Sequence, residues 1–483
     1  MSKKRKDPNR IKLPEIILFD GCARMGITAA GAMISSYLLL FYVKCGLELE
    51  KIALIFLLAK LFDAFNDVIN AYIFDRIPKD KFGRLKAIGI ICSVLFALNF
   101  AALWLGPYFN IGNKPAQYAI VWITYFLLGI AQDIVEIPYN MFCALQTEDN
   151  EQRGKVQPAK AIAQILGGVI ITMIFPMIVT AVREQTGGDD LPAYLIAVVI
   201  VVFINCIITP ISILAVKKRV NTVQSQEKIS IKDILACLKI KEVLVTCACQ
   251  IGVTGGISIV YSTIVFYSEY VMNQGQAITG MVNTLSGIGL GFWVILGPFL
   301  MKKIEKKTLV LAGLGFVIST YLLRMVMPTT VWWIYLMAGL SGLGSGALNV
   351  VLPVMDLESN EIVEHRLGRR AEGTLGAINT FFVKIGNTIA VILPAGILAA
   401  HGFDTDLASF SATNPEQYIQ MYGGLYTPSE GATNAIIFCT HVLPALLYIV
   451  AFVLLLLRKH DKKQHAQMMQ QLQERRALAE TKQ

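Results

Sequence analysis

Three charged residues stand where charge is costly. In the apolar stretch IALIFLLAKLFDAFNDVINAYIF, Lys60, Asp63 and Asp67 recur at spacings of three and four, with Asn66 between the acids. That spacing puts the three charges on one helical face. A carboxylate at the centre of a membrane helix costs about 2.5–3.5 kcal/mol on insertion scales. One lysine cannot balance two acids, so the face needs a second base or a bound cation. The chemistry on offer is cation binding: Na+ on carboxylate oxygens, or a proton on one of them.

Two further apolar stretches carry charge. FLLGIAQDIVEIPYNMF holds Asp133 and Glu136 three apart, and Pro138 should bend the helix and free a carbonyl. TLGAINTFFVKIGNTIAVILPAGIL holds Lys384 deep within it, among Asn379, Thr380 and Asn387. An intramembrane lysine implies a function and a partner, and the candidates are Asp63 and Asp67. Between apolar stretches, Asp75 and Arg84 mark a candidate gating loop. In the loop DLESNEIVEHRLGRRAEG, residues 356–373, Glu358, Glu361 and Glu364 precede a basic cluster. Ion pairs between those two blocks would hold an inner gate. Glu364-His365 is not a zinc motif, because no second His follows at the required spacing.

Only a membrane bundle can hold such residues. The chain has 483 residues, 55% apolar and 16% charged, with mean hydropathy +0.57. A soluble domain carries about 25% charged residues. Net charge is +9, but Lys and Arg cluster in short segments between apolar runs, so no nucleic-acid partner is expected. Runs long enough to span, about 20 residues, lie near 15–44, 52–74, 87–107, 116–143, 159–182 and 192–216. A second set lies near 241–268, 277–301, 308–327, 331–355, 373–400 and 434–457. The fold class is therefore an all-α membrane protein of twelve spanning helices in two six-helix halves. The domains are 1–216, a cytoplasmic link at 217–240 with an amphipathic helix, 241–457, and a tail at 458–483.

Orientation follows from charge. With the N-terminus inside, 35 of the 43 Lys and Arg fall in cytoplasmic segments and four (Lys44, Lys51, Lys114, Arg183) in outer loops. That bias puts both termini in the cytoplasm of a plasma-membrane protein. The basic start MSKKRKDPNRIK leads into a full-length run without a cleavage site, as expected for a retained first helix. The nine Cys show no paired spacing, and most sit in apolar runs as small core residues. The polar segment after Arg458 is expected to be a solvated tail.

The residues resemble the glycoside–pentoside–hexuronide:cation symporters, the melibiose-permease-like family of the major facilitator superfamily. The resemblance covers most of the chain. Its strongest match is Lys60-x-x-Asp63-Ala64-Phe65-Asn66-Asp67, like the family's basic residue followed by D-A-x-N-D. Glu136-Ile137-Pro138-Tyr139 is similar to its acid-I-P-aromatic motif. The third match is Glu358-x-x-Glu361-x-x-Glu364, then Gly368-x-Arg370-x-Glu372-Gly373, ending at Val383-Lys384-x-Gly386.

The resemblance implies the major facilitator fold and symport of a sugar or glycoside with H+ or Na+, by alternating access and with no other cofactor. Asp63, Asn66 and Asp67, with Asp133, would hold the cation. Lys60 and Lys384 would couple its occupancy to the substrate. Substrate contacts would come from Thr28, Glu136, Tyr139, Asn140, Lys160, Asn349, Asn379 and Thr380. Asp75, Arg84, Glu361, Glu364, Arg370 and Glu372 would serve the gates. The cation frame is kept and the sugar frame is rewritten. Thr28 replaces the family's first-helix aspartate, Asn140 and Asn349 its sugar-facing tryptophans, and Lys160 its arginine. An α-galactoside is therefore not the expected substrate. Asp133 adds a charge that raises the proton affinity of its neighbours, favouring H+.

A lysolipid carrier of the same superfamily is the alternative, although Asn140 and Asn349 suit a polar substrate better. A channel would need a repeated filter sequence. An enzyme would need a nucleophile or metal set near the midplane, where only His441 stands. The expected partners are a small molecule and the bilayer, and the expected state is a monomer.

Overall fold

The computed structural model describes residues 23–75, 82–146, 150–186, 188–217, 231–368, 372–458, 464, 467–472 and 474. Side chains are described for these residues except 23–24, 64–85, 136–165, 231–233 and 372–373.

The described residues form helices and no strands. The first six are α1 (Ala23–Lys44), α2 (Leu49–Asp75), α3 (Phe82–Phe109), α4 (Lys114–Gln146), α5 (Asn150–Thr186) and α6 (Leu191–Ala215). A short α7 (Ile231–Leu238) lies in the central link, where an amphipathic helix was expected. Then follow α8 (Lys241–Val271), α9 (Ala277–Lys303), α10 (Lys306–Arg324), α11 (Val331–Leu367) and α12 (Glu372–Ala400). Two short helices, α13 (Thr405–Thr413) and α14 (Pro415–Tyr422), precede α15 (Glu430–Leu456). Among the described residues, eleven helices are long and apolar enough to cross a membrane. The twelfth span is α2, 27 residues long, whose apolar stretch is interrupted by the charges described above.

The chain's contacts divide it into two units. The first comprises Met1–Ser225, Tyr261–Thr284 and Ile392–Ile436, and the second comprises the rest. In the first unit α1 packs on α5, α3 on α4, and α2 on α4. In the second, α10 packs on α11 and α15. Glycines allow the closest approaches, as expected where no hydrophobic force pulls helices together in lipid. A Cβ at Gly313 of α10 would sit 3.0 Å from Gly344 O of α11.

Two expectations are corrected. The segment beginning at Asp356 is not a loop. It continues α11 to Leu367, where Gly368 takes the left-handed conformation (φ 72°) and stops the helix. Acidic and basic side chains are good helix formers, and only the glycine ends the element. The second correction is the tail. Met468 and Leu472 are buried in a cluster with Cys237, Val243, Ile362 and Leu375, and His365 Nε2 lies 2.8 Å from Gln471 Oε1. The polar composition hid two apolar anchors four residues apart, which is one face of a helix.

Candidate functional site

The helix-two charges come first. Asp63 is buried on α2, and Lys60 Nζ lies 3.7 Å from its Oδ2, one turn away. The opposing surface is α4. A Cβ built on Gly129 would overlap Asp63 Oδ1 and sit 2.8 Å from its Cγ. Gly129 therefore lets the two helices close on the carboxylate. Tyr125, one turn earlier on α4, is buried and lies within electrostatic reach of Asp63. Its ring stacks on Phe56 of α2 at 4.0 Å.

This contact sets the register of the pair. With one helix between them, α2 and α4 run the same way, and Asp63 is level with Gly129. One turn further on, the Asp67 backbone position is level with Asp133, which is half-buried. Sequence spacing gave the acids of each helix but not this pairing. Gly129 was missed altogether, since a glycine in an apolar run carries no sign of the carboxylate it faces.

Lys384 belongs to the second unit. It sits on α12 where that helix closes on α8: a Cβ at Gly386 would sit 2.8 Å from Ile251 O and 3.0 Å from Gly255 N. Ser258 Oγ donates to Asn387 Oδ1 at 2.8 Å across the same contact. One residue here was not singled out from sequence. Asp356 of α11 accepts from Gln250 Nε2 of α8 at 2.9 Å and from Asn379 Nδ2 of α12 at 3.3 Å. Asn379, expected at the substrate, thus donates to a carboxylate. Its neighbour Thr380 is exposed.

The remaining assignments are scattered. Thr28 is half-buried on α1, with its methyl 3.9 Å from a Cβ placed at Gly168 of α5. Asn349 is exposed on α11 and donates to Ser345 O at 2.9 Å. Glu361 and Glu364 are half-buried along α11. Among the described pairs, Glu358 bonds Lys306 at 2.6 Å and Arg458 at 3.4 Å, and Arg366 bonds Glu242 at 3.0 Å, so both blocks also reach neighbouring helix ends. The side chains of Asn66, Asp67, Asp75, Arg84, Glu136, Tyr139, Asn140, Lys160 and Glu372, and all of Arg370, lie outside the described residues.

A fourth group was not expected. At the Lys44 end of the first unit, Lys44 Nζ bonds Asp190 at 2.5 Å and Glu269 at 3.3 Å. Arg183 bonds Asp190 at 2.8 Å and also pairs with Glu269. Two cations and two anions from α1, α5, the α5–α6 turn and α8 thus close a ring. Burial alone would raise the Asp190 carboxyl, but Lys44 and Arg183 outweigh it and hold the carboxyl below the ordinary range. The charge count placed Lys44 and Arg183 in outer loops and said nothing of their partners. Spacing offered no clue, because the four residues are far apart in the chain.

The fold and these buried charges define a membrane transporter. A family model described as "MFS/sugar transport protein" matches residues 19–462. The chain belongs to that family of the major facilitator superfamily, in agreement with the melibiose-permease-like motifs, and it is a transporter rather than an enzyme. It is 23% identical over 449 residues to the uncharacterised symporter YnaJ of Bacillus subtilis (strain 168), covering 92% of this chain and 91% of the relative. It is 25% identical over 391 residues to the isoprimeverose transporter of Lactiplantibacillus pentosus, covering 77% of each. Its fold is similar to the solved structure of a bacterial homologue of the human lysosomal transporter Spinster. That match has a TM-score of 0.60 at 10% identity and covers 96% of this chain and 100% of the other.

Proposed function

We propose that this chain carries a sugar or glycoside across the cell membrane in symport with H+ or Na+. The observation that carries the reading is the α2–α4 contact. It buries Asp63 beside Lys60, closes Gly129 onto the carboxylate and sets Asp133 level with the Asp67 position. A buried carboxylate persists only with compensating charge. A cation that neutralises it in one conformation more strongly than in another shifts the balance between them, and differential affinity is the only route to that shift. The names of the relatives, symporter and isoprimeverose transporter, support a small sugar-like substrate. In this reading Lys384 answers cation occupancy from the second unit, and both termini lie in the cytoplasm. The Lys44 ring then faces outside.

The test is uptake into proteoliposomes of labelled glycosides, pentosides and hexuronides, each with a Na+ gradient, a pH gradient or neither. Gradient-driven accumulation of at least one sugar is expected. Accumulation of none, with transport of a lysophospholipid instead, would overturn the proposal.

A further inference from the structure

Arg324 is the last residue of α10, and its side chain is fully buried. Nη2 donates to Ser341 Oγ of α11 at 3.0 Å. The guanidinium carbon lies 4.4 Å over the Tyr321 ring, and the Tyr321 hydroxyl stands beside both Arg324 and Ser341. Among the described residues, Nε and Nη1 have no hydrogen-bond partner and no carboxylate pairs with the group. His441, also fully buried, belongs to the π-helical segment Phe438–Val442 of α15, which packs on α10. Its imidazole lies within electrostatic reach of Arg324.

Arginine cannot escape this position by losing its proton. A buried charge costs several kcal/mol even after relaxation. The tyrosine ring and the C-terminal end of α10 return only part of that cost. Among the described residues no carbonyl accepts from the guanidinium. The Ser341 hydroxyl proton is already given to Ala338 O at 2.9 Å. The enclosure therefore holds donors and positive charge, with one negative charge owed.

We propose that Arg324, with Tyr321, Ser341 and His441, forms a buried site for a monatomic anion, chloride in ordinary media. The charge of Arg324 demands an anion. The enclosure, in which Tyr321 is the most exposed of the four at 6%, selects a small one. The π-helical segment places His441 here, and such bulges recur at functional sites. This site is built from residues of the second unit alone and does not depend on the sugar reading.

The test uses the full chain purified in detergent, with thermal unfolding followed in sodium chloride, bromide or gluconate at equal ionic strength. Chloride and bromide should raise the midpoint saturably and gluconate should not. Arg324→Met should abolish the halide effect. Ser341→Ala removes the acceptor that orients the Arg324 guanidinium and should raise the half-saturating chloride concentration about three- to ten-fold, the loss expected for that one positioning hydrogen bond. If Arg324→Met does not fold, Ser341→Ala and an anomalous bromide peak beside Arg324 in crystals decide the matter. Equal midpoints in chloride and gluconate, a halide effect that survives Arg324→Met, or a bromide site elsewhere with none beside Arg324 would each overturn the proposal.

Discussion

The first unit contains two clusters of buried charge, and they are built on opposite plans. The Lys44 ring has two cations and two anions, and each cation touches both anions. The α2 cluster has one lysine 3.7 Å from one aspartate, with the Asp67 backbone position one turn further along α2 and Asp133 on α4. The ring balances itself, so nothing further need bind there. Under the proposed function, part of the balance of the α2 cluster comes from the transported cation. Buried charge alone is thus a weak sign of function in a membrane bundle, whereas unbalanced buried charge is a strong one.

The largest expected effect separates the two clusters by function. Asp63→Asn removes one acid and should bring gradient-driven accumulation in proteoliposomes down to the equilibrium level, while the protein still folds. Retained accumulation would remove Asp63 from the coupling site and erase the contrast drawn above.

The next effect is on stability. Asp190→Asn leaves Lys44 and Arg183 facing Glu269 alone. Breaking a buried ion pair from one side costs about 3–5 kcal/mol, so the thermal unfolding midpoint in detergent should fall well below that of Asp63→Asn. If Asp190→Asn proves the more stable of the two variants, the ring does not hold the helix ends together.

The fold was legible because apolar runs of spanning length and a strong charge bias leave few alternatives. The acids of α2 and α4 were legible because period and polarity are local properties. The Lys44 ring was not. Its members lie on α1, α5, the α5–α6 turn and α8, and each reads locally as an ordinary loop charge. Asp356 was hidden in another way. Its helix runs on past the apolar stretch, so a position inside α11 read as the first residue of a loop. Arg324 ends its apolar run with nothing in the sequence to show that its side chain turns inward.

A smaller effect sharpens the α2 side of the comparison. Gly129→Ala places a methyl group against the Asp63 carboxylate. Overpacking of this kind costs about 1–3 kcal/mol. It should raise the cation concentration for half-maximal uptake roughly ten-fold while leaving the ring untouched. An unchanged cation dependence would mean that α4 does not shape the site.

The smallest effect at neutral pH concerns the ring itself. Asp190 is held below its ordinary carboxyl range by Lys44 and Arg183. A depressed carboxyl contributes stability that is complete above its unfolded value, about pH 4. That contribution is lost as pH falls through the lower folded value. Asp189, next in the chain, is instead pushed up by burial, so it titrates first and in the opposite sense. The difference in unfolding midpoint between the wild type and Asp190→Asn should therefore be flat from pH 7 to about pH 5 and shrink below about pH 4. A difference that grows with acid would mean that the two cations do not hold the Asp190 charge, and the ring would no longer differ in kind from the cluster on α2.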